Sequence, residues 1–349
     1  MSNPISRRSF ISVGALASFA AVAGLTGCSG GSSSSASSAS SAASGAPSKV
    51  IIGQQGLLAE VMPIQEGYYE AEMPNVTIDV KQFSAGRDLI RSLTSGDIDF
   101  AVVGSLPTAL GLCQGSEYKV IYAADIITTT ESLIVQNSAN INSLADLEGK
   151  KVATTFASTA HYSLLNALAK EGVDQSKIEI LDMEPDKILA AWQRGDIDAG
   201  YTWEPVRSNL VANDGKVLLT SGEVGEMGYP TADFVLVRTG FAEQYPDYVE
   251  SYMKAFTKAA DMLTSDPDTA YASIAKFQGM TADEVKAAMT DKYVPSKDQL
   301  GADYLGGGFA TMLVDSANYL KEQGEVTTAI TADQAKAAVD SSYLEKVVG

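Results

Sequence analysis

The sequence predicts an α/β protein with two lobes, each holding a mainly parallel sheet flanked by helices. The part of the 349-residue chain that can fold, about 300 residues from Lys49 onward, is longer than one hydrophobic core usually supports. A motif built on Gly-Asp-Ile-Asp also occurs twice, at 95–107 and 194–205. Such a duplication indicates that the same supersecondary unit is used in both lobes.

Each copy of the motif reads as a helix, a tight turn, a short apolar strand and a new helix. The first helix ends at Gly96 or Gly195, because glycine readily adopts the left-handed conformation that ends helices. A proline, Pro107 or Pro205, follows the strand near the first turn of the next helix. Strands joined by crossover helices run parallel.

Acidic residues occupy the turn of each copy. Asp97 and Asp99 lie in the first turn, and Asp196 and Asp198 lie in the second. These turns fall at the starts of strands, whereas ligands of open α/β sheets bind beyond the carboxyl ends. We therefore interpret the four acids as structural turn residues.

The remaining pattern alternates strands and helices until about residue 240, after which helical periodicity dominates. Apolar strands at 132–136 and 233–237 bracket the second half, and we expect the chain to cross between lobes near them. The predicted boundaries are 49–131 with 239–349 for lobe 1 and 132–238 for lobe 2. The predicted strands span 50–54, 76–82, 100–103, 120–124, 132–136, 151–154, 178–181, 200–202, 217–219 and 233–237.

The N-terminal segment, residues 1–28, reads as a twin-arginine signal that ends in a lipobox. Arg7 and Arg8 precede an apolar run, 10–25, that is too short to span a bilayer. Cys28 closes the segment and is the predicted lipidation site. Residues 29–48 are almost entirely Ser, Gly and Ala, which predicts a disordered tether.

Charge and motif content restrict the function classes. The formal net charge is −18, which makes nucleic acid and anionic lipid headgroups poor partners. Only one histidine is present, the usual hydrolase, nucleotide-binding and zinc-protease motifs are absent, and Cys113 reads as a small buried hydrophobe. The sequence therefore predicts neither an enzyme nor a metal or cofactor site.

Candidate ligand contacts follow the predicted strands. Ser105, Ser158 and Thr159 stand at helix starts, where free N–H groups and the helix dipole favour an anion; capping of the helix is an equally good explanation for each hydroxyl. Trp203 and Asp233 form a candidate cation site, because an aromatic face and a carboxylate both attract ammonium. Glu131 is a further candidate, with a solvated hinge carboxylate as the alternative.

Four segments resemble the taurine-binding proteins of the nitrate/sulfonate/taurine ABC importers, namely 158–165, 190–198, 224–233 and 320–324. The resemblance implies a periplasmic-binding-protein-like fold of type 2 whose two lobes close over an aminoalkanesulfonate. It implies that Asp233 holds the ammonium and that Trp203 covers the ligand. It also implies that the sulfonate is contacted by Ser105, Ser158, Thr159 and His161.

Some positions depart from the pattern of these proteins. Leu106 replaces an expected serine, Glu204 adds a carboxylate, and the loop that begins at Gln54 does not align cleanly. Gln54 and Glu204 are nevertheless candidate ligand contacts. Aliphatic sulfonates, nitrate or a thiamine precursor stay open as ligands, and a pyrimidine-synthase-like enzyme is a remote alternative.

The signal with its lipobox, together with the resemblance, implies the setting in which the protein works. We expect a monomer outside the cytoplasm that is anchored to the cell membrane through lipidated Cys28. An ABC permease with a cytoplasmic ATPase is the expected partner. A membrane sensor, which would make the protein a signalling receptor, is the alternative partner.

Overall fold

The computed structural model describes residues 45–349, which fall within one compact unit. The predicted signal, Cys28 and nearly all of the predicted tether lie outside the described residues. No helix within residues 45–349 has the length and apolar character needed to cross a membrane.

Two five-stranded sheets organise the described chain. The strands are β1 (Lys49–Gln54), β2 (Thr77–Gln82), β3 (Phe100–Gly104), β4 (Tyr118–Ile127), β5 (Glu131–Gln136), β6 (Lys151–Thr154), β7 (Glu179–Asp182), β8 (Ala199–Trp203), β9 (Gly215–Thr220) and β10 (Thr231–Arg238). The first sheet has the order β2-β1-β3-β10-β4 and the second has the order β7-β6-β8-β5-β9. Every predicted strand is present, and its predicted ends differ from the observed ends by three residues at most.

Each sheet is parallel except for one strand. In the first sheet β10 runs antiparallel to both β3 and β4. In the second sheet β5 runs antiparallel to both β8 and β9. The prediction of two mainly parallel sheets is therefore confirmed. The lobe boundaries stay a prediction, and β10, which the sequence analysis groups with the second lobe, hydrogen-bonds in the first sheet.

Helices cover the sheets and fill the C-terminal third. They are α1 (Leu58–Gln65), α2 (Tyr68–Glu72), α3 (Gly86–Ser95), α4 (Ser105–Cys113), α5 (Thr159–Lys170), α6 (Pro185–Arg194), α7 (Val206–Ala212), α8 (Ser221–Glu226), α9 (Thr239–Gln244), α10 (Pro246–Ser265), α11 (Pro267–Gln278), α12 (Ala282–Ala288), α13 (Gly308–Glu322), α14 (Ala332–Ala338) and α15 (Ser342–Val348). Short 3₁₀ turns span Asn137–Ala139, Leu144–Leu147, Gln175–Lys177 and Asp298–Leu300.

The duplicated motif has the same geometry in both sheets. Gly96 and Gly195 end α3 and α6 with φ of 82° and 74°, as the sequence predicts. The Asp99 carboxylate accepts the N–H of Ile51 at 3.0 Å. The Asp198 carboxylate accepts the N–H of Lys151 at 2.9 Å. These acids therefore tie each turn to the neighbouring parallel strand.

Aromatic side chains pack the first sheet against the C-terminal helices. Phe100 of β3 stacks on Tyr252 of α10 with ring centroids 3.9 Å apart. Tyr252 also stacks on Tyr69 of α2 at 4.8 Å. All three rings are almost fully buried. The C-terminal helices thus complete the core around the first sheet, as their apolar periodicity predicts.

An arginine links the layers of the two sheets. Arg87 of α3, which packs on the first sheet, forms ion pairs with Asp182 and Glu184 beside the second sheet. The Arg87 Nη1 to Asp182 distance is 3.2 Å. The three side chains join elements far apart in the sequence.

Candidate ligand-binding cleft

A cleft of about 590 Å³ lies where the two sheets approach each other. Its walls come from the carboxyl ends of strands, from the β4–β5 crossover and from the starts of α4 and α5. The lining residues are Gln55, Leu57, Ala59, Gly86, Gly104, Pro107, Asp125, Ile127, Thr130, Glu131, Ser158, Thr159, Trp203, Glu204, Asp233 and Tyr293.

Four carboxylic acids line this cleft, and none of its lining residues is lysine or arginine. The acids are Asp125, Glu131, Glu204 and Asp233. All four are buried, with between 2% and 8% of their surface exposed. The cleft wall therefore has the composition of a site for a cationic group.

Glu131 begins β5 and is held by two hydroxyl groups from the second sheet's layer. Thr159 donates to one carboxylate oxygen at 2.5 Å, and Ser221 donates to the other at 2.7 Å. Burial raises the pKa of Glu131 to about 7, although both hydrogen bonds oppose the shift. The aromatic Trp203 lies directly across the strand pair from Glu131.

Glu204 follows β8 and belongs to a local cluster with α7. Its carboxylate accepts the Ser208 N–H at 3.1 Å and the Ser208 hydroxyl at 2.8 Å. Arg207 lies 3.5 Å from the same carboxylate. Burial raises the pKa of Glu204, with these partners opposing the shift. Part of the Glu204 charge is thus offset from within the protein.

The helix starts meet closely at the cleft. Gly104 immediately precedes α4, and a Cβ at this position would lie 2.9 Å from Thr159 Cγ2 and 3.6 Å from Asp233 Oδ1. Glycine is required there by this close approach. Ser158 caps α5 by accepting the N–H of His161, and its hydroxyl donates to the Thr155 carbonyl oxygen at 2.6 Å. The capping explanation therefore applies to Ser158, although the residue also lines the cleft.

The structure brings six of the predicted contacts to the cleft and leaves three outside its lining. Ser105 is fully buried in the first turn of α4, and its hydroxyl has no hydrogen-bond partner. Gln54 turns away and bonds the side chain of Gln82. His161 stacks on Phe156 with ring centroids 4.4 Å apart. The expected sulfonate contacts from Ser105 and His161, and the Gln54 contact, are thus not part of the cleft wall.

Burial also limits what His161 can do electrostatically. It lowers the pKa of His161 to about 4, with the Asp182 charge opposing the shift. The ring is therefore neutral near neutral pH and offers no positive charge to a sulfonate.

Sequence reasoning missed several residues that line the cleft, above all Asp125 and Tyr293. Asp125 follows the predicted strand 120–124 directly, and this position at a strand end could have identified it as a cleft residue. Gln55 follows β1, and alternation along the strand sends it to the opposite side from Gln54. Tyr293 comes from an irregular segment with no local pattern.

Gln55 is positioned by an acid that does not itself line the cleft. Glu60 in the first turn of α1 accepts the N–H groups of Gln55 at 2.8 Å and Leu57 at 2.9 Å. Its other oxygen is buried without a partner. Burial raises the pKa of Glu60 to about 8, against the effect of these hydrogen bonds.

Known proteins resemble this chain over much of its length. A family model described as NMT1/THI5 like matches residues 58–270. The taurine-binding periplasmic protein of Escherichia coli is 35% identical over 262 residues, which are 73% of this chain and 81% of the relative. A putative aliphatic sulfonates-binding protein of Bacillus subtilis is 28% identical over 59% of this chain and 62% of the relative.

Solved structures share the fold at lower identity. The alkanesulfonate-binding protein SsuA of Xanthomonas axonopodis, bound to MOPS, has a TM-score of 0.69 at 23% identity and covers 84% of this chain and 98% of its own. The desulfurization enzyme DSZB has a TM-score of 0.65 at 14% identity, with 86% and 99% covered. Binding proteins and an enzyme therefore share this architecture, which by itself does not distinguish between them.

Proposed function

Because the chain belongs to the NMT1/THI5-like family, we propose that it is a solute-binding protein that holds taurine or a related aminoalkanesulfonate in its cleft. The observation that carries the proposal is a cleft wall with four buried acids beside Trp203. Such a wall favours a ligand with an ammonium group. Sulfonates without an amine, the ligands named for other relatives, would leave these acids without a cation.

Asp233 is the acid we assign to the ammonium group. It is buried on β10, lines the cleft and lies beside Gly104, where the first and second sheets come close together. Trp203 lies half-buried at the end of β8 and presents an aromatic surface to the same space. An ammonium between a carboxylate and an aromatic ring gains from both contacts.

The sulfonate end must be held by neutral donors, since no cationic side chain lines the cleft. The start of α5 offers N–H groups of its first turn, which have no partner within the helix. Thr159 at this start and Gln55 both line the cleft. Sulfonate is a large anion with spread charge, so several neutral donors suit it.

Calorimetry with taurine and ethanesulfonate tests this function. We expect taurine to bind at least about tenfold more tightly than ethanesulfonate, equivalent to about 1.4 kcal/mol, because only taurine carries an ammonium. Asp233→Ala should weaken taurine binding by about 10- to 100-fold, as expected for loss of a charged hydrogen bond. Ethanesulfonate binding should change little. Absence of taurine binding, or equal affinity for both compounds, would contradict the proposal.

Binding is proposed without a chemical reaction on the ligand. The lining residues include no cysteine or histidine to act as a nucleophile or general base. Taurine incubated with the protein should be recovered unchanged. Detection of released sulfite would favour the enzyme alternative instead.

We further propose that closure of two lobes over the ligand presents the protein to an ABC permease. Arg87 joins the two layers through Asp182 and Glu184 and would stabilise the closed arrangement. The relatives named as periplasmic binding proteins support a location outside the cytoplasm.

Lipid anchoring through Cys28 is the remaining part of the proposal. The buried methylenes of an acyl chain each contribute about 0.8 kcal/mol to membrane binding, and the Ser-rich segment 29–48 would let the folded part reorient. Cys28→Ser protein should therefore move from the membrane to the soluble fraction of secreting cells. Continued membrane association of the exported Cys28→Ser protein would exclude the anchor. Asp233→Ala, which leaves Cys28 intact, is the control and should stay with the membrane.

A further inference from the structure

We propose that Asp125 and Asp233 act as one unit that shares a proton in the empty cleft and exchanges it for the ammonium group of the ligand. The inference rests on the proposed function in one respect, namely that the ligand carries an amine. It adds Asp125 as a second residue that determines specificity for the cationic end.

The two acids face each other across a pair of antiparallel strands. Asp125 of β4 is the direct partner of Asp233 of β10, and directly opposed residues place their Cβ atoms about 5 Å apart. Both carboxyls also line the same cleft, so the two side chains lie side by side at its wall. Two carboxyls can share a hydrogen bond only if one holds a proton.

Burial gives this pair little access to water. Asp125 is 6% exposed and Asp233 is 8% exposed, and both line the cleft. One oxygen of Asp125, Oδ1, is buried without a hydrogen-bond partner. A buried, unpartnered acceptor at the wall of a cleft is costly unless a ligand satisfies it.

The groups around the pair do not supply a positive charge. Glu131 of β5, Glu60 of α1 and Asp291 before Tyr293 face it as acids, and the Tyr293 phenol is the other titratable neighbour. Burial, followed by these negative charges, raises the pKa values of both pair members. A doubly ionised pair is therefore unfavourable in the empty protein, and a retained proton relieves the repulsion.

An ammonium group can replace that proton. It carries three N–H donors, enough to bond both carboxylates and the unpartnered Asp125 oxygen at once. The proton leaves to solvent, the amine keeps its own three protons, and no covalent bond changes. Since binding releases a proton, affinity rises with pH while the empty pair is protonated. It levels off once the pair is already ionised.

Calorimetry in two buffers with different enthalpies of ionisation measures the exchange. At about pH 7 wild-type protein should release a substantial fraction of one proton for each taurine bound, and its affinity should rise up to about tenfold for each pH unit. Asp125→Asn should bind taurine about tenfold more weakly, release no proton from the pair and show a flat pH profile. Ethanesulfonate, which has no amine, should bring no proton release in either protein.

Glu345→Gln, at an exposed acid far from the cleft, is the control and should keep the proton release. Glu131→Gln distinguishes the pair from the other buried cleft acid. Loss of release in Glu131→Gln with retention in Asp125→Asn would assign the proton to Glu131 and overturn the proposal. Asp233→Asn also leaves a single acid, so it carries the same test if Asp125→Asn does not fold.

The empty protein gives a readout that does not depend on taurine. Carboxyl ¹³C chemical shifts of the ligand-free protein should show one proton held by the Asp125–Asp233 pair at about pH 7. A fully ionised pair would overturn the exchange. Failure of taurine to bind while the pair holds its proton would instead contradict the proposed ligand and leave the shared proton established.

Discussion

Glu60 shows how a single buried acid can shape the cleft without lining it. Its carboxylate receives the N–H groups of Gln55 and Leu57, both of which line the cleft. It is 3% exposed and has one oxygen without a partner. The folded protein therefore retains a proton on Glu60 over a pH range in which an unfolded chain would have lost it.

This proton makes stability depend on pH. The pKa of Glu60 is raised to about 8 from 4.5, so the folded state binds more protons than the unfolded state between these values. The stabilisation is fully present below about pH 4.5 and is lost as the pH rises towards about 8. The Glu60→Gln side chain cannot ionise, so the unfolding free energy of this variant should fall less across this range than that of wild type. The difference in slope should correspond to at most one proton.

Urea unfolding at several pH values measures the effect. Glu345→Gln, at an exposed acid in the C-terminal helix, is the control and should keep the wild-type pH dependence. An unchanged slope in Glu60→Gln would show that Glu60 is already ionised in the folded protein.

At the scale of elements, one acid binds every backbone N–H of a crossover between the sheets. The turn of Thr128 to Thr130 joins β4 of the first sheet to β5 of the second. Asp291 accepts all three backbone N–H groups of this turn, at 2.7, 2.9 and 3.2 Å. It also accepts the Thr128 hydroxyl at 2.9 Å and is 8% exposed. The segment after α12 therefore stabilises the turn through which the chain passes from the first sheet to the second.

Removal of this acceptor should loosen the crossover. Asp291→Ala removes three N–H hydrogen bonds to a charged acceptor in a half-buried turn, and such a bond contributes about 1.5 to 3 kcal/mol where it is shielded from water. We expect a loss of unfolding free energy on the order of 3 kcal/mol, with weaker ligand binding because the cleft walls lose their relative position. Asp291→Asn keeps one oxygen acceptor and should lose less. Equal stability of Asp291→Ala and wild type would show that the turn keeps its conformation without the Asp291 carboxylate.

At the scale of the whole molecule, both sheets place their single antiparallel strand in the same position of the sheet order. The two strands, β10 and β5, bring Asp233 and Glu131 to the cleft, where Asp125 and Trp203 are their cross-strand partners. Acids from two separate sheets thereby converge on one space. The repeated motif explains the similar sheets, and the crossovers explain why their acids meet.

The sequence by itself determined the fold class, the strands, the turn acids and six residues of the cleft wall. These predictions depended on local signals: period-two apolar runs, glycines at helix ends and a motif present twice. Resemblance to known binding proteins added the ligand class, which local physics does not supply. Ser105, Gln54 and His161 were placed by the same signals near strand or helix ends. The Gln54 and His161 side chains contact Gln82 and Phe156 instead of lining the cleft, and the Ser105 hydroxyl is buried without a partner.

Only the tertiary structure decided how the acids combine. Asp125 and Asp233 are separated by more than a hundred residues, and the register of β4 against β10 makes them neighbours. Asp291 and Tyr293 reach the crossover and the cleft from a segment without any repeated pattern. Sequence periodicity tells which face of an element is buried, because burial depends on local spacing. It does not tell which side chains of distant elements meet, since that depends on strand register and packing.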